Sequence, residues 1–168
     1  PWLIKPNTEE LADALDAPII SIEAQAEAAA RLQAQGIEHV VISHGADGVN
    51  WFSPGTALHA TPPKVSVAST VGAGDSLLAG MLHGLLSGDT PEQTLRRATA
   101  IAAMAVTQIG FGISDAAQLA LGLQMALQGG DGQAAGAGAH QVDLAGAGDG
   151  PAHVERFFQR RHVGGQAP

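Results

Sequence analysis

One stretch near the middle of the chain combines small residues, a single acid and an apolar run: Ser69-Thr70-Val71-Gly72-Ala73-Gly74-Asp75-Ser76-Leu77-Leu78-Ala79-Gly80-Met81-Leu82. Backbone can approach a ligand closely where side chains are absent. A helix starting at such a point aims unpaired N–H groups and the positive end of its dipole at whatever lies in front of it. That arrangement binds anions, phosphate above all. Asp75, at the mouth of the expected helix, is a carboxylate placed to take a proton. A tight strand-to-helix turn would also require Gly72 and Gly74 for positive φ, but would not explain why an acid follows at once. No third glycine falls at the dinucleotide-binding spacing and no Gly-Lys-Ser/Thr is present, so neither common phosphate-loop motif applies. The same letters recur at Ala145-Gly146-Ala147-Gly148-Asp149. There no strand precedes and no apolar helix follows, so that copy is set aside.

Two further clusters carry polar groups at element ends. Ser43-His44-Gly45-Ala46-Asp47-Gly48 follows an apolar strand, where α/β folds place ligands. Its glycines permit close backbone approach and Ser43 offers a hydroxyl; taken alone a plain hairpin turn explains these residues better, and their weight comes from being paired with the central stretch. In Lys5-Pro6-Asn7-Thr8-Glu9-Glu10, the three-residue spacing puts Asn7 and Glu10 on one helix face. By themselves these two read as a helix N-cap with an acidic first turn.

The elements needed to position these clusters can be read in order. Pro1 to Lys5 is the end of a buried strand, as if the chain began inside something longer. Asn7 caps a helix over Thr8 to Leu15, and Ser21 caps a second to about Gln35, with Ile22, Ala26, Ala29, Ala30 and Leu32 as its apolar face. Glu38 to Ser43 is a continuous apolar strand of the kind covered on both faces in a parallel sheet. Val49 to Phe52 and Ala57 to Thr61 form a hairpin about Ser53-Pro54-Gly55-Thr56. Pro62-Pro63 leads through an extended link, Val65 to Val67, into the central stretch and its helix, which ends near Ser87-Gly88. Thr90-Pro91-Glu92-Gln93 opens a helix to about Gln108, Gly110-Phe111-Gly112 breaks it, and Ser114 caps a last helix to about Gln128. Residues 129–150 are mostly Gly and Ala without apolar period and read as flexible, with one short helix expected over Ala152 to Arg161.

Composition narrows the function classes. The chain has 168 residues, 45% apolar, which is enough for one domain with a real core. With no Cys, disulfides and thiolate metal sites are excluded, which fits a reducing cytoplasm. A net charge of −8 without a Lys/Arg cluster argues against nucleic-acid or anionic-membrane partners. No apolar run reaches the length of a membrane span. The His residues show no metal-binding spacing.

Taken together, Ser69 to Leu82, Ser43-x-Gly45-x-x-Gly48 and Lys5-Pro6-Asn7-x-x-Glu10 resemble, in their residues and in their order along the chain, the motifs of the ribokinase-like carbohydrate kinases of the phosphofructokinase B group. The likeness covers residues 1–128 and is strongest to the branch that phosphorylates fructose 1-phosphate. It implies the C-terminal, nucleotide-binding part of a three-layer α/β/α domain with a mostly parallel sheet, followed by a low-complexity, disordered tail over residues 129–168. It implies a cytoplasmic ATP-dependent phosphotransferase making fructose 1,6-bisphosphate, with tagatose 6-phosphate, another sugar or a nucleoside as alternative acceptors. A non-catalytic nucleotide-binding fragment is the reading from a different class. By the same likeness Asp75 is the base, Gly72, Ala73 and Gly74 form an anion hole, and Ser43, His44, Gly45, Ala46, Asp47 and Gly48 hold nucleotide phosphates with Gly74 and Asp75. Asn7 and Glu10 would organise Mg²⁺ through water, and the region from Thr90 through Gly110–Gly112 would flank adenine.

The chain also departs from the family. The N-terminal half, with its lid, its sugar contacts and the lid-mediated homodimer, is expected to lie outside this sequence. Lys5 and a few scattered Arg are too little positive charge to hold a sugar phosphate and ATP together. His44 stands where an apolar residue is expected.

Overall fold

A computed structural model describes residues 1–109, together with 117, 120, 142–143 and 153–156. Strand β1 (Leu3–Ile4) is followed by helices α1 (Thr8–Leu15) and α2 (Ile22–Ala34), then strands β2 (His39–Ser43), β3 (Val49–Ser53) and β4 (Thr56–Thr61). Helices α3 (Ala73–Ser87) and α4 (Pro91–Ala105) come next, and short strands β5 (Val142–Asp143) and β6 (His153–Arg156) complete the sheet. The strand order is β1-β2-β3-β4-β6-β5.

Strand alternation builds three layers. Val41, Val49, Trp51, Leu58 and Ala60 face Leu77 and Met81 of α3 and Leu95 and Ala98 of α4. The intervening residues Val40, Ile42, Phe52 and Ala57 face Leu11 of α1 and Ala28 and Ala29 of α2. Because successive side chains point to opposite faces and both faces are covered, the middle of β2 must be apolar, and Val40, Val41 and Ile42 are all fully buried.

Caps fix the helix starts. Asn7 Oδ1 accepts from the Glu10 amide at 2.8 Å while Glu10 Oε2 accepts from the Asn7 amide at 2.8 Å. Thr90 and Gln93 form the same reciprocal box, with Pro91 in the first turn. Ser21 Oγ accepts from the Ala24 amide at 3.2 Å. Each such cap is worth about 1 kcal/mol.

Several expectations are corrected. The sheet is not mostly parallel: β1–β2 is the parallel pairing, and β2–β3, β3–β4, β4–β6 and β5–β6 are antiparallel. The short connections through Gly45–Gly48 and Pro54–Gly55 permit nothing else, since parallel strands need a crossover of a dozen residues or more. On α2, Ala30 is exposed and Gln25 is buried instead, a polar residue admitted because it is hydrogen-bonded. Helix α4 stops at Ala105 rather than near Gln108. His153–Arg156 is a strand, not part of a helix, and pairs with β4 from Leu58 to Thr61. Val142–Asp143 pairs with that strand in turn. The last expected helix, Gly110–Gly112 and the second copy at Ala145–Asp149 lie outside the described residues, except that Ala117 and Ala120 are helical.

Helices α3 and α4 cross where side chains are smallest. A Cβ on Gly80 would lie 2.5 Å from Ala98 Cα, and one on Gly84 would lie 2.6 Å from Thr94 Oγ1. Gly80→Val is therefore expected to destabilise the chain by about 1–3 kcal/mol despite a better helix propensity, because the obstructing atom is backbone. Urea unfolding checks this, and an unchanged or raised midpoint would contradict the close crossing.

Candidate functional site

The parallel pairing of β1 with β2 puts their carboxyl ends side by side. Beyond the strands, Asn7 continues the ladder with a parallel bridge to Ser43. The Ser43 amide donates to Pro6 carbonyl oxygen at 3.1 Å. Two of the sequence clusters thus meet, Lys5–Glu10 and Ser43–Gly48. The third comes against them through Lys5: a Cβ on Gly74 would lie 3.1 Å from Lys5 Nζ and 3.6 Å from Lys5 Cε. The ammonium of Lys5 therefore lies at the first turn of α3. Any larger residue at position 74 would displace it.

The mouth of α3 differs from the expected strand-to-helix turn. No strand runs into it, since β4 ends at Thr61. Instead the Ala68 and Ser69 amides both donate to Val106 carbonyl oxygen, at 2.8 and 3.2 Å, pinning the approach to the end of α4. Gly72 is the N-cap residue at φ +82°, a left-handed conformation that favours glycine, and no side chain caps the helix. Gly74 does not share that conformation. It is helical, and its lack of a side chain serves Lys5, not the backbone. The Ala73 amide is engaged with Thr70 carbonyl oxygen at 3.3 Å. The Gly74 and Asp75 amides have no acceptor among the described residues. Asp75 itself is exposed, with no ion-pair partner among the described residues. This is an uncapped helix mouth with a cation beside it, suited to an anion.

Ser43–Gly48 folds as a short 3₁₀ turn over Gly45–Asp47, closed by the His44 amide donating to Gly48 carbonyl oxygen at 2.8 Å. Gly48 has φ +111°, and a Cβ there would lie 2.2 Å from Ala60 carbonyl oxygen. No other residue fits. Gly45, Ala46 and Asp47 are exposed and His44 is half-buried.

Asn7 and Glu10 are engaged with each other's backbone. That leaves one Glu10 carboxylate oxygen and the Asn7 amide nitrogen for other partners. No group of three or more His, Cys, Asp or Glu capable of holding a metal occurs among the described residues. No helix among them is long and apolar enough to cross a membrane.

Sequence reasoning missed a set of polar residues beneath the turn. Asn50, on β3, donates through Nδ2 to Gln25 Oε1 at 2.7 Å and faces His44 Nε2 at 3.1 Å. His59 Nδ1 lies 2.7 Å from Asn50 Oδ1, and His59 Nε2 lies 3.1 Å from Thr61 Oγ1. The signal was present in the hairpin: a turn at Pro54–Gly55 pairing Ser53 with Thr56 also pairs Asn50 with His59.

An uncapped helix mouth and two strand-end loops thus meet on an α/β/α layer structure, at the carboxyl ends of β1 and β2, where α/β folds place ligands. The chain belongs to the pfkB family of carbohydrate kinases, whose profile matches residues 1–118. It is 49% identical over 119 residues to 1-phosphofructokinase of Vibrio cholerae, covering 71% of this chain and 38% of that protein. It is likewise 49% identical over 120 residues to 1-phosphofructokinase of Escherichia coli K12, covering 71% of this chain and 38% of that protein. The chain therefore spans 38% of the length of both relatives. Among solved structures it resembles Arabidopsis thaliana ribokinase complexed with ribose and ATP, with TM-score 0.67 and 26% identity over 73% of this chain and 40% of that one. It also resembles Escherichia coli phosphofructokinase-2 in complex with substrates and products, with TM-score 0.59 and 30% identity over 62% of this chain and 34% of that one.

Two histidines in and beside this region are held below their ordinary pKa. For His44 burial is the main cause, opposed by the Asp47 carboxylate; for His39 burial again dominates, opposed by Glu38. His39 Nδ1 accepts from the Trp51 indole at 3.3 Å, which requires that nitrogen unprotonated. Unfolding restores a pKa near 6.5, so the unfolded chain binds more protons below that pH. Stability is therefore expected to fall as pH drops below about 6.5 and through the lowered folded values. Urea midpoints at about pH 7.5 and about pH 5.5 check this. The drop should be smaller in His39→Phe, and an equal drop would remove His39 from the account.

Proposed function

We propose that this chain carries the nucleotide-phosphate and phosphoryl-transfer side of an ATP-dependent sugar-phosphate kinase. The acceptor is fructose 1-phosphate, and the products are fructose 1,6-bisphosphate and ADP. The observation that carries this reading is the meeting of three segments: the open mouth of α3, the Lys5 ammonium against Gly74, and the Ser43 turn bridged to Asn7. The choice of acceptor rests on the 49% identity to proteins named 1-phosphofructokinase.

Phosphoryl transfer asks a protein for positioning and charge neutralisation more than for covalent chemistry. The Gly74 and Asp75 amides, together with Lys5, face the oxygens of the transferring group and stabilise the charge developing there. Asp75 takes the proton of the acceptor hydroxyl as that oxygen bonds to the γ-phosphorus and the bond to the ADP oxygen breaks. Its exposure leaves it accessible to an acceptor arriving from outside the chain. The turn at Ser43–Gly48 holds the remaining nucleotide phosphates through its closely approachable glycine backbone. Asn7 and Glu10, with one carboxylate oxygen uncommitted, fit a water-mediated hold on Mg²⁺ and not a direct three-ligand site. When bound, the ion would neutralise phosphate charge.

In a chain extended to the length of its relatives, Asp75→Asn is expected to lower kcat for ATP-dependent conversion of fructose 1-phosphate by about 10²–10⁴-fold, the range of a general base. ATP affinity, measured by calorimetry, should change much less. Near-normal turnover in that variant would remove Asp75 as the base.

A further inference from the structure

The polar set about the Ser43–Gly48 turn pairs every one of these groups when the Asn50 amide nitrogen faces Gln25 and His44 and its oxygen faces His59. Both hydrogens of Asn50 Nδ2 are committed, to Gln25 Oε1 at 2.7 Å and to His44 Nε2 at 3.1 Å. Asn50 Oδ1 accepts from His59 Nδ1 at 2.7 Å. In that arrangement His44 is neutral, with its proton on Nδ1 and the lone pair of Nε2 turned to Asn50. Rotating the Asn50 amide by half a turn would set Oδ1 against Gln25 Oε1 and Nδ2 against the His59 donor, so Asn50 cannot adjust alone. Asn50 and Gln25 are buried, at 5% and 7% exposure, where an unmatched polar group is costly.

Three elements thus meet at Asn50, which in turn contacts His44 of the turn. Gln25 comes from α2, Asn50 from β3 and His59 from β4, with Thr61 behind His59. The backbone is held from the same side, since Gly48 is pressed against Ala60 and His59. We propose that Asn50 is a positioning residue that sets the Ser43–Gly48 turn through His44, so that the turn binds nucleotide phosphate only while His44 is neutral.

Protonation of His44 places an Nε2–H against the Asn50 donor. With the Asn50 amide held in this orientation by Gln25 and His59 the contact becomes repulsive, and His44 is displaced together with the backbone that closes onto Gly48. Among the described residues, the titratable groups about His44 are Asp47 on its own turn and His59 on β4, reached through Asn50; α2 and β3 present the neutral Gln25 and Asn50. Burial holds His44 in its neutral form near neutral pH, against the pull of Asp47. This inference rests on the nucleotide-phosphate reading of the turn, which a ligand-free measurement separates from the positioning claim.

The test uses the 168-residue chain, wild type, Asn50→Leu and Asn50→Asp, followed by amide and imidazole NMR with and without ATP. In wild type without nucleotide, His44 is expected as the Nδ1–H tautomer, with the Gly45 and Gly48 amides shifting on acidification. Asn50→Asp replaces the donor facing Nε2 with a carboxylate, so His44 should titrate at higher pH and the turn should stay closed in acid. Asn50→Leu should weaken ATP binding at neutral pH by about three- to tenfold, the scale of one hydrogen bond. Its remaining pH dependence should match that of ATP alone. An Nε2–H tautomer in wild type, or identical acid shifts of Gly45 and Gly48 in wild type and Asn50→Asp, would overturn the proposal. If wild type binds no ATP, the nucleotide reading of the turn fails, and with it the binding half of the proposal. The tautomer and the acid shifts still decide whether Asn50 positions the turn. Should Asn50→Leu not fold, Asn50→Asp and the wild-type tautomer remain decisive.

Discussion

The parallel pairing of β1 with β2 is the constraint on which the site depends. It is short, Leu3 with His39 and Ile4 with Val40, yet it decides which loops become neighbours. Because the strands run the same way, Lys5 to Glu10 and Ser43 to Gly48 leave the sheet at one edge. The bridge from Asn7 to Ser43 extends the pairing past the strands and turns two loops into one ledge. An antiparallel β1 would send Asn7 and Glu10 to the opposite end of the sheet.

The second contributor is the tight crossing of α3 on α4. Gly80 and Gly84 let the helices approach until a Cβ at either position would meet Ala98 or Thr94. The crossing also explains how α3 is aimed without a strand leading into it. The approach at Ala68 and Ser69 is tied to Val106, at the end of α4. Packing along the helices thus positions an uncapped helix end whose own interactions are few. Low local satisfaction at that mouth is a cost the fold carries elsewhere, and it leaves amide donors for a ligand.

Much of this was legible because it is local. The Asn7, Ser21 and Thr90 caps, the Pro54–Gly55 hairpin and the left-handed Gly72 follow from residue chemistry within a few positions. The pairing of Asn50 with His59 was equally readable from the hairpin register, although the bond to Gln25 on α2 was not. Strand direction escaped because β2 is apolar on both faces whether its neighbours are parallel or antiparallel. Gly74 was misread because a glycine needed for clearance looks the same as one needed for positive φ. The difference lies with Lys5, which is distant in sequence. The likeness to the pfkB kinases singled out the candidate residues, and the structure brings Asn7 beside Ser43 and Lys5 beside Gly74.

The central claim is that Lys5–Glu10, Ser43–Gly48 and the first turn of α3 form one anion-binding crevice. Hydrogen–deuterium exchange of the chain with and without ATP tests it most directly. ATP is expected to slow exchange in all three segments together, with the Gly74 and Asp75 amides most affected and the Pro54–Gly55 hairpin turn unchanged. Protection confined to one segment, or lying outside all three, would contradict it.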